Sequence, residues 1–143
     1  MSFIQRVPVF AAALWWGSLT ATLFWVVPLL FASLPTPALA GQTAARLFTA
    51  QAWVALACGL LMLMASRDRG EGARMDWARG APLFVLAGVL LALLVEFAVA
   101  PRIIARENFV FWHRVGGAMF LLQWLCAGVT LWKVSSLRSS GPS

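Results

Sequence analysis

The sequence predicts an all-α integral membrane protein, an antiparallel up-down-up-down four-helix bundle. Two observations carry that prediction. The chain is 62% hydrophobic and 11% charged, whereas soluble domains run at about 45–50% apolar and about 25% charged residues. Four apolar stretches, residues 7–31, 44–65, 82–100 and 109–134, each reach the roughly 18 residues that cross a hydrocarbon core. Lipid offers no partner to an unpaired backbone amide, so a spanning segment closes its hydrogen bonds internally and reads as a helix. With 143 residues in all, residues 1–143 form a single transmembrane domain.

The first segment follows Arg6 and precedes Ala38-Leu39-Ala40, which has the look of a signal-peptide cleavage site. Its apolar run is about twice as long as a signal h-region, so it is expected to be a retained helix. Leu34 to Gly41 carries Pro35 and Pro37 and reads as a short turn, which makes the first two helices antiparallel neighbours. The second connection holds Arg67, Asp68, Arg69, Glu71, Arg74, Asp76 and Arg79, with Met75 and Trp77 suited to an interfacial position. Pro101 to Asn108 reads as a tight hairpin, and residues 135–143 as a polar tail.

Cations set the expected orientation, because cytoplasmic loops retain Lys and Arg. Arg6, Arg67, Arg69, Arg74, Arg79, Lys133 and Arg138 share one side, against Arg46, Arg102, Arg106 and Arg114 on the other. Both termini are therefore expected in the cytoplasm, in a bacterial inner (plasma) membrane. The net charge of +6 is accounted for by topology and anionic headgroups. It is split between two faces with no basic domain, so membrane lipid is the expected partner and nucleic acid is not.

Small residues spaced four apart mark helix faces that pack closely in lipid. Gly17 and Ala21, Ala55 and Gly59, and Gly88 and Ala92 provide such pairs, and Gly116 or Gly117 with Ala127, at wider spacing, marks the fourth helix. The same pattern serves a homo-oligomer or contact with another membrane protein.

Polar residues within the apolar runs are the candidate functional groups, since such groups are costly in lipid and usually face the protein interior. Glu96 continues the face of Gly88 and Ala92. On the fourth helix His113, Gly116, Phe120, Gln123, Ala127 and Thr130 form one stripe. Glu96 and His113 are equidistant from a hairpin midpoint near residue 104 or 105, which places them at similar depth. With Arg46, Arg102, Arg114 and Gln51 they make an expected outer polar cluster. One reading is structural, with Glu96 paired to Arg46, Arg102 or Arg114. The other is a polar cavity that binds a cation, a proton or a small polar molecule.

Cofactor chemistry has few ligands to use. A single histidine rules out bis-histidine haem ligation within one chain. Cys58 and Cys126 lack ligand spacing and read as small packing residues. No nucleophile elbow, phosphate loop or zinc motif occurs. The expectation is no cofactor, no metal and no catalytic residues. Trp77, Trp112 and Trp132 suit interfacial belts, while Trp15, Trp16, Trp25, Trp53 and Trp124 lie deeper and are expected to pack.

The run Leu14-Trp15-Trp16-Gly17-Ser18, continuing through Phe24 and Pro28-Leu29-Leu30-Phe31 to Leu34-Pro35 and Leu47-Phe48, resembles the transmembrane protein 205-like family. Ala100-Pro101-Arg102 and Phe109-Val110-Phe111-Trp112-His113 resemble its second half. The recurring positions fall on Trp16, Gly17, Pro28, Pro101, Arg102 and His113. Where family members carry a serine and an asparagine after the histidine, this chain has Gly116 and Phe120. The resemblance implies a four-helix membrane domain without an established biochemical activity. Three functions stay open: a structural or accessory membrane protein, a transporter or small-molecule handler built on Glu96 and His113, and a haem- or metal-dependent oxidoreductase.

Overall fold

A computed structural model describes residues 3–67 and 80–136. Everything expected of the charged connection from Asp68 to Arg79 and of the tail beyond Ser136 lies outside the described residues. Helix α1 (Phe3–Ala21) runs through a π-helical turn (Thr22–Val26) into α2 (Val27–Ser33). Helix α3 spans Pro37–Arg67; α4 (Ala81–Leu94) runs through a second π turn (Val95–Val99) into α5 (Ala100–Ile104); α6 spans Phe109–Ser136. Among the described residues four rods, Arg6–Ser33, Pro37–Ala65, Ala81–Ile104 and Val110–Ser136, are long and apolar enough to cross a membrane. The chain is thus an all-α four-helix bundle with α1, α3, α4 and α6 packed around one core.

The second helix begins earlier than the prolines imply. Pro37 is its first residue, a position where the missing N–H costs nothing, and the Leu39 amide donates to Thr36 Oγ1 at 3.2 Å as an N-terminal cap. Residues 37–41, expected in the turn, are helical, and the helix expected from residue 44 starts at Pro37.

Both π turns sit just ahead of a proline, Pro28 or Pro101. Proline has no N–H for the carbonyl four residues back and crowds it, so the chain widens by one residue instead of breaking. The Val27 amide donates to Thr22 O, and that of Ala100 to Val95 O. Leu23, Val27 and Phe31, and likewise Val95, Val99 and Ile103, consequently hold one wall. In an undisturbed α-helix eight residues overshoot two turns by about 80°.

At the end away from the hairpins, aromatic knobs meet glycines. Trp15 is fully buried, and a Cβ on Gly88 would run into its ring. A Cβ on Gly128 would meet the Trp16 indole, and one on Gly59 the Val89 side chain. Trp16 also stacks on Trp124 at 5.9 Å between ring centroids.

The small-residue faces need one correction. Gly17 and Ala21 point away from the bundle, because the inner stripe of α1 is Ala12, Trp15, Leu19 and Thr22. The choice between two adjacent faces went to the one whose tryptophan fills the groove at Gly88. Trp25 and Trp53, expected to pack, are 76% and 62% exposed. Together with Phe10, Leu14, Leu86 and Phe97 they form the apolar outer surface that a bilayer solvates and water does not.

Candidate functional site

The third and fourth rods set the register of the candidate residues. Gly88 lies against Cys126, Gly116 against Val99, and the Arg102 guanidinium 4.6 Å from the Trp112 ring centre. The hairpin therefore turns near residue 107, beyond the midpoint expected at 104 or 105, because the third rod continues through Pro101 to Ile104. His113 comes level with Arg102, while Glu96 lies about 9 Å deeper at 1.5 Å per residue. The two are not neighbours.

Glu96 is half-buried and turned toward the second helix. Thr49 Oγ1 stands 2.9 and 3.0 Å from its carboxylate oxygens and 3.2 Å from Ala45 O. One hydroxyl proton serves these acceptors in turn, so the carboxylate is held by threonine and not by the arginine expected beside it. The π turn explains the shift. Val95 and Val99 take the inward positions, and Glu96 rotates off the Gly88–Ala92 face. Arg102 curls back to donate to Ala98 O at 2.6 Å, bracing the loosened ladder of the same turn. Arg46 and Arg114 are exposed.

Gln51 belongs to a different network. Its amide donates to Ser18 Oγ at 2.9 Å, Ser18 Oγ donates to Trp15 O at 2.9 Å, and Thr22 Oγ1 lies 3.5 Å from Gln51 Oε1. On the opposite flank the Trp124 indole donates to Thr20 Oγ1 at 2.9 Å. Thr49 and Thr20 were not singled out in the sequence. A threonine in an apolar helix ordinarily bonds its own backbone, as both also do. Gln123, one turn below Phe120, is 1% exposed, and neither end of its amide has a partner among the described residues.

Above this polar layer, toward the hairpins, the bundle forms a cavity of about 230 Å³ that opens at its surface beside the exposed Phe31, His113 and Gly117. All four rods line it: Leu23, Val27 and Phe31 from the first; Gly41, Ala44, Ala45 and Phe48 from the second. Val95, Val99, Ala100 and Ile103 come from the third, and His113, Gly116, Gly117 and Phe120 from the fourth. Among the described residues His113 is the one lining residue with a titratable side chain, and Glu96 does not reach the space. A second cavity, about 520 Å³, continues toward the hairpins and shares Phe31, Gly41, Ala45 and Ile103 with the first. Pro37, Ala38, Gln42, Ile104 and Arg106 complete its walls. A purely apolar cavity of about 150 Å³ stays dry and takes up hydrophobic guests. The inner chamber is larger and nearly as apolar.

The described residues hold no group of three or more His, Cys, Asp or Glu side chains placed to grip a metal ion. Cys58 and Cys126 are both free thiols.

No curated protein and no solved structure matches the chain. A family described as a domain of unknown function, DUF4149, matches residues 10–108, from the first helix to the tip of the second hairpin. The chain belongs to the DUF4149 family, and the matched residues take in three of the four rods described above.

Proposed function

We propose that this protein is an accessory protein of the bacterial inner membrane that holds the hydrocarbon part of a membrane amphiphile inside its bundle. The observation that carries the reading is the inner chamber, an apolar space of about 230 Å³ walled by every rod. In a bilayer an apolar void of this size is filled by hydrocarbon more readily than by water. The seven-to-four division of cations supports cytoplasmic termini. The likeness to the transmembrane protein 205-like family supports a membrane domain of this helix order.

Two glycines make the test clean. A Cβ on Gly41 or on Gly117 would meet nothing within 4 Å, and both line the chamber. Gly41→Leu and Gly117→Leu should fill the space without disturbing the backbone. Native mass spectrometry of the full chain from mild detergent should show a retained lipid-mass adduct that both variants lose while staying helical. No adduct on the parent, or equal adducts on all three proteins, would overturn the reading.

A purely structural role is the second reading, and one observation favours it. Glu96 already has its partner in Thr49, as a residue that fixes helix register would. That role predicts no adduct and no effect of filling the chamber.

A further inference from the structure

We infer that the occupant is an anionic amphiphile, with its chain in the inner chamber and its phosphate or carboxylate head at Arg106. This rests on the chamber being a hydrocarbon site, and adds the charge of the head. The inner chamber and the outer cavity are adjacent, with Phe31, Gly41, Ala45 and Ile103 in the walls of both. Polarity rises from the first to the second. The deep end is aliphatic and aromatic, whereas the outer cavity ends at Gln42 and Arg106. Among the described residues no carboxylate lines either space. A cationic head would leave the guanidinium without a counter-charge there, and a zwitterionic head brings its own cation to compete for its phosphate. A phosphate or carboxylate matches its fork of donors.

The backbone at Arg106 is an independent observation. Helix α5 ends in a Schellman turn, with the Arg106 amide donating to Ile103 O and the Glu107 amide to Arg102 O, both at 3.1 Å. The residue after the cap must be left-handed, and Arg106 stands there at φ 56°. Glycine is the usual occupant, because a side chain is strained in that conformation. Here the strained position carries the one charged side chain in the wall of the outer cavity. Strain of this kind gathers where a side chain must be aimed at a ligand.

The test uses the full chain in phosphatidylcholine nanodiscs, each doped with one probe carrying a diazirine at its chain end. The probes are a phosphatidylglycerol, a phosphatidylcholine and a free fatty acid. After illumination, crosslinks are mapped by mass spectrometry to the peptides that wall the chamber. In the parent an anionic probe should label these peptides about five-fold more than phosphatidylcholine, the scale of one arginine at a membrane surface. The stronger of the two anionic probes names the source, bilayer lipid or free acid. Arg106→Gln should bring the ratio near one without lowering phosphatidylcholine labelling. Arg106→Gly should do the same while relieving the turn, so loss of fold cannot mimic the result. Equal labelling by all probes in the parent, or a preference that survives both variants, overturns the anionic head and leaves the hydrocarbon site standing. Wall peptides unlabelled by every probe, or labelled equally in Gly117→Leu, overturn both.

Discussion

The two halves of the bundle use the same apolar helices and pack them in opposite ways. In the half away from the hairpins each close approach pairs an aromatic or branched side chain with a glycine: Trp15 with Gly88, Trp16 with Gly128, Val89 with Gly59. In the hairpin half only Gly116 is filled in this way, by Val99, whereas Gly41 and Gly117 face no side chain within 4 Å, and a chamber remains. The lesson is that a small residue in a membrane helix is a contact only where a neighbour supplies the bulk. Without one, the same residue is a void.

The sharpest way to break this contrast is to put bulk where none fits. Gly88→Leu would collide with the Trp15 ring, and overpacking of this kind costs about 1–3 kcal/mol, occasionally more. We expect the largest loss of thermal stability in detergent here. A variant melting like the parent would mean the tight half can be repacked.

Gln123 tests the boundary between the halves. Its buried amide has no partner among the described residues, and such burial costs about 1–3 kcal/mol by mutational measure. Gln123→Met should therefore raise the melting temperature. A fall would show instead that a bound water or ligand group satisfies the amide in the folded protein.

Smaller effects belong to the open half. Gly117→Ala has room for its methyl and should stabilise by up to about 1 kcal/mol through helix propensity. Any destabilisation in detergent would argue that the space is closed in solution. Smallest of all, Thr49→Val removes the hydroxyl that holds Glu96, and interhelical hydrogen bonds in membranes average about 0.6 kcal/mol. Glu96→Ala should cost a similar amount, since no arginine is left uncompensated. A loss of several kcal/mol in either variant would reveal a buried charge partner.

The spans were legible because they follow from composition and length alone. Their boundaries were less so: Pro37 reads as punctuation but opens a helix behind its Thr36 cap. The π turns leave no mark in an unbroken apolar run apart from Pro28 and Pro101, and they decide where Glu96 points. His113 was picked out at the head of an inward stripe as the partner of Glu96; it is instead exposed, and it borders the chamber apart from Glu96. Arg106 was counted only for topology, because a left-handed cap is invisible when the residue there is not glycine. The chamber itself could not be read, since it consists of what Gly41 and Gly117 do not touch.

The π turns bear on how this chain tolerates insertions and deletions. Each holds one residue more than an α-turn, so the rod on its far side keeps its own angular phase. Removing a single residue between Val95 and Val99 would restore a plain α-helix and leave the phase from Ala100 to Ile104 unchanged. Ile103 would stay in the chamber wall and Arg102 over Trp112, while only the side chains of the turn itself, Glu96 among them, would be re-aimed. A one-residue deletion here would therefore be absorbed locally, whereas the same change inside Ala81–Leu94, which has no surplus residue to give up, would unseat Gly88 from Trp15.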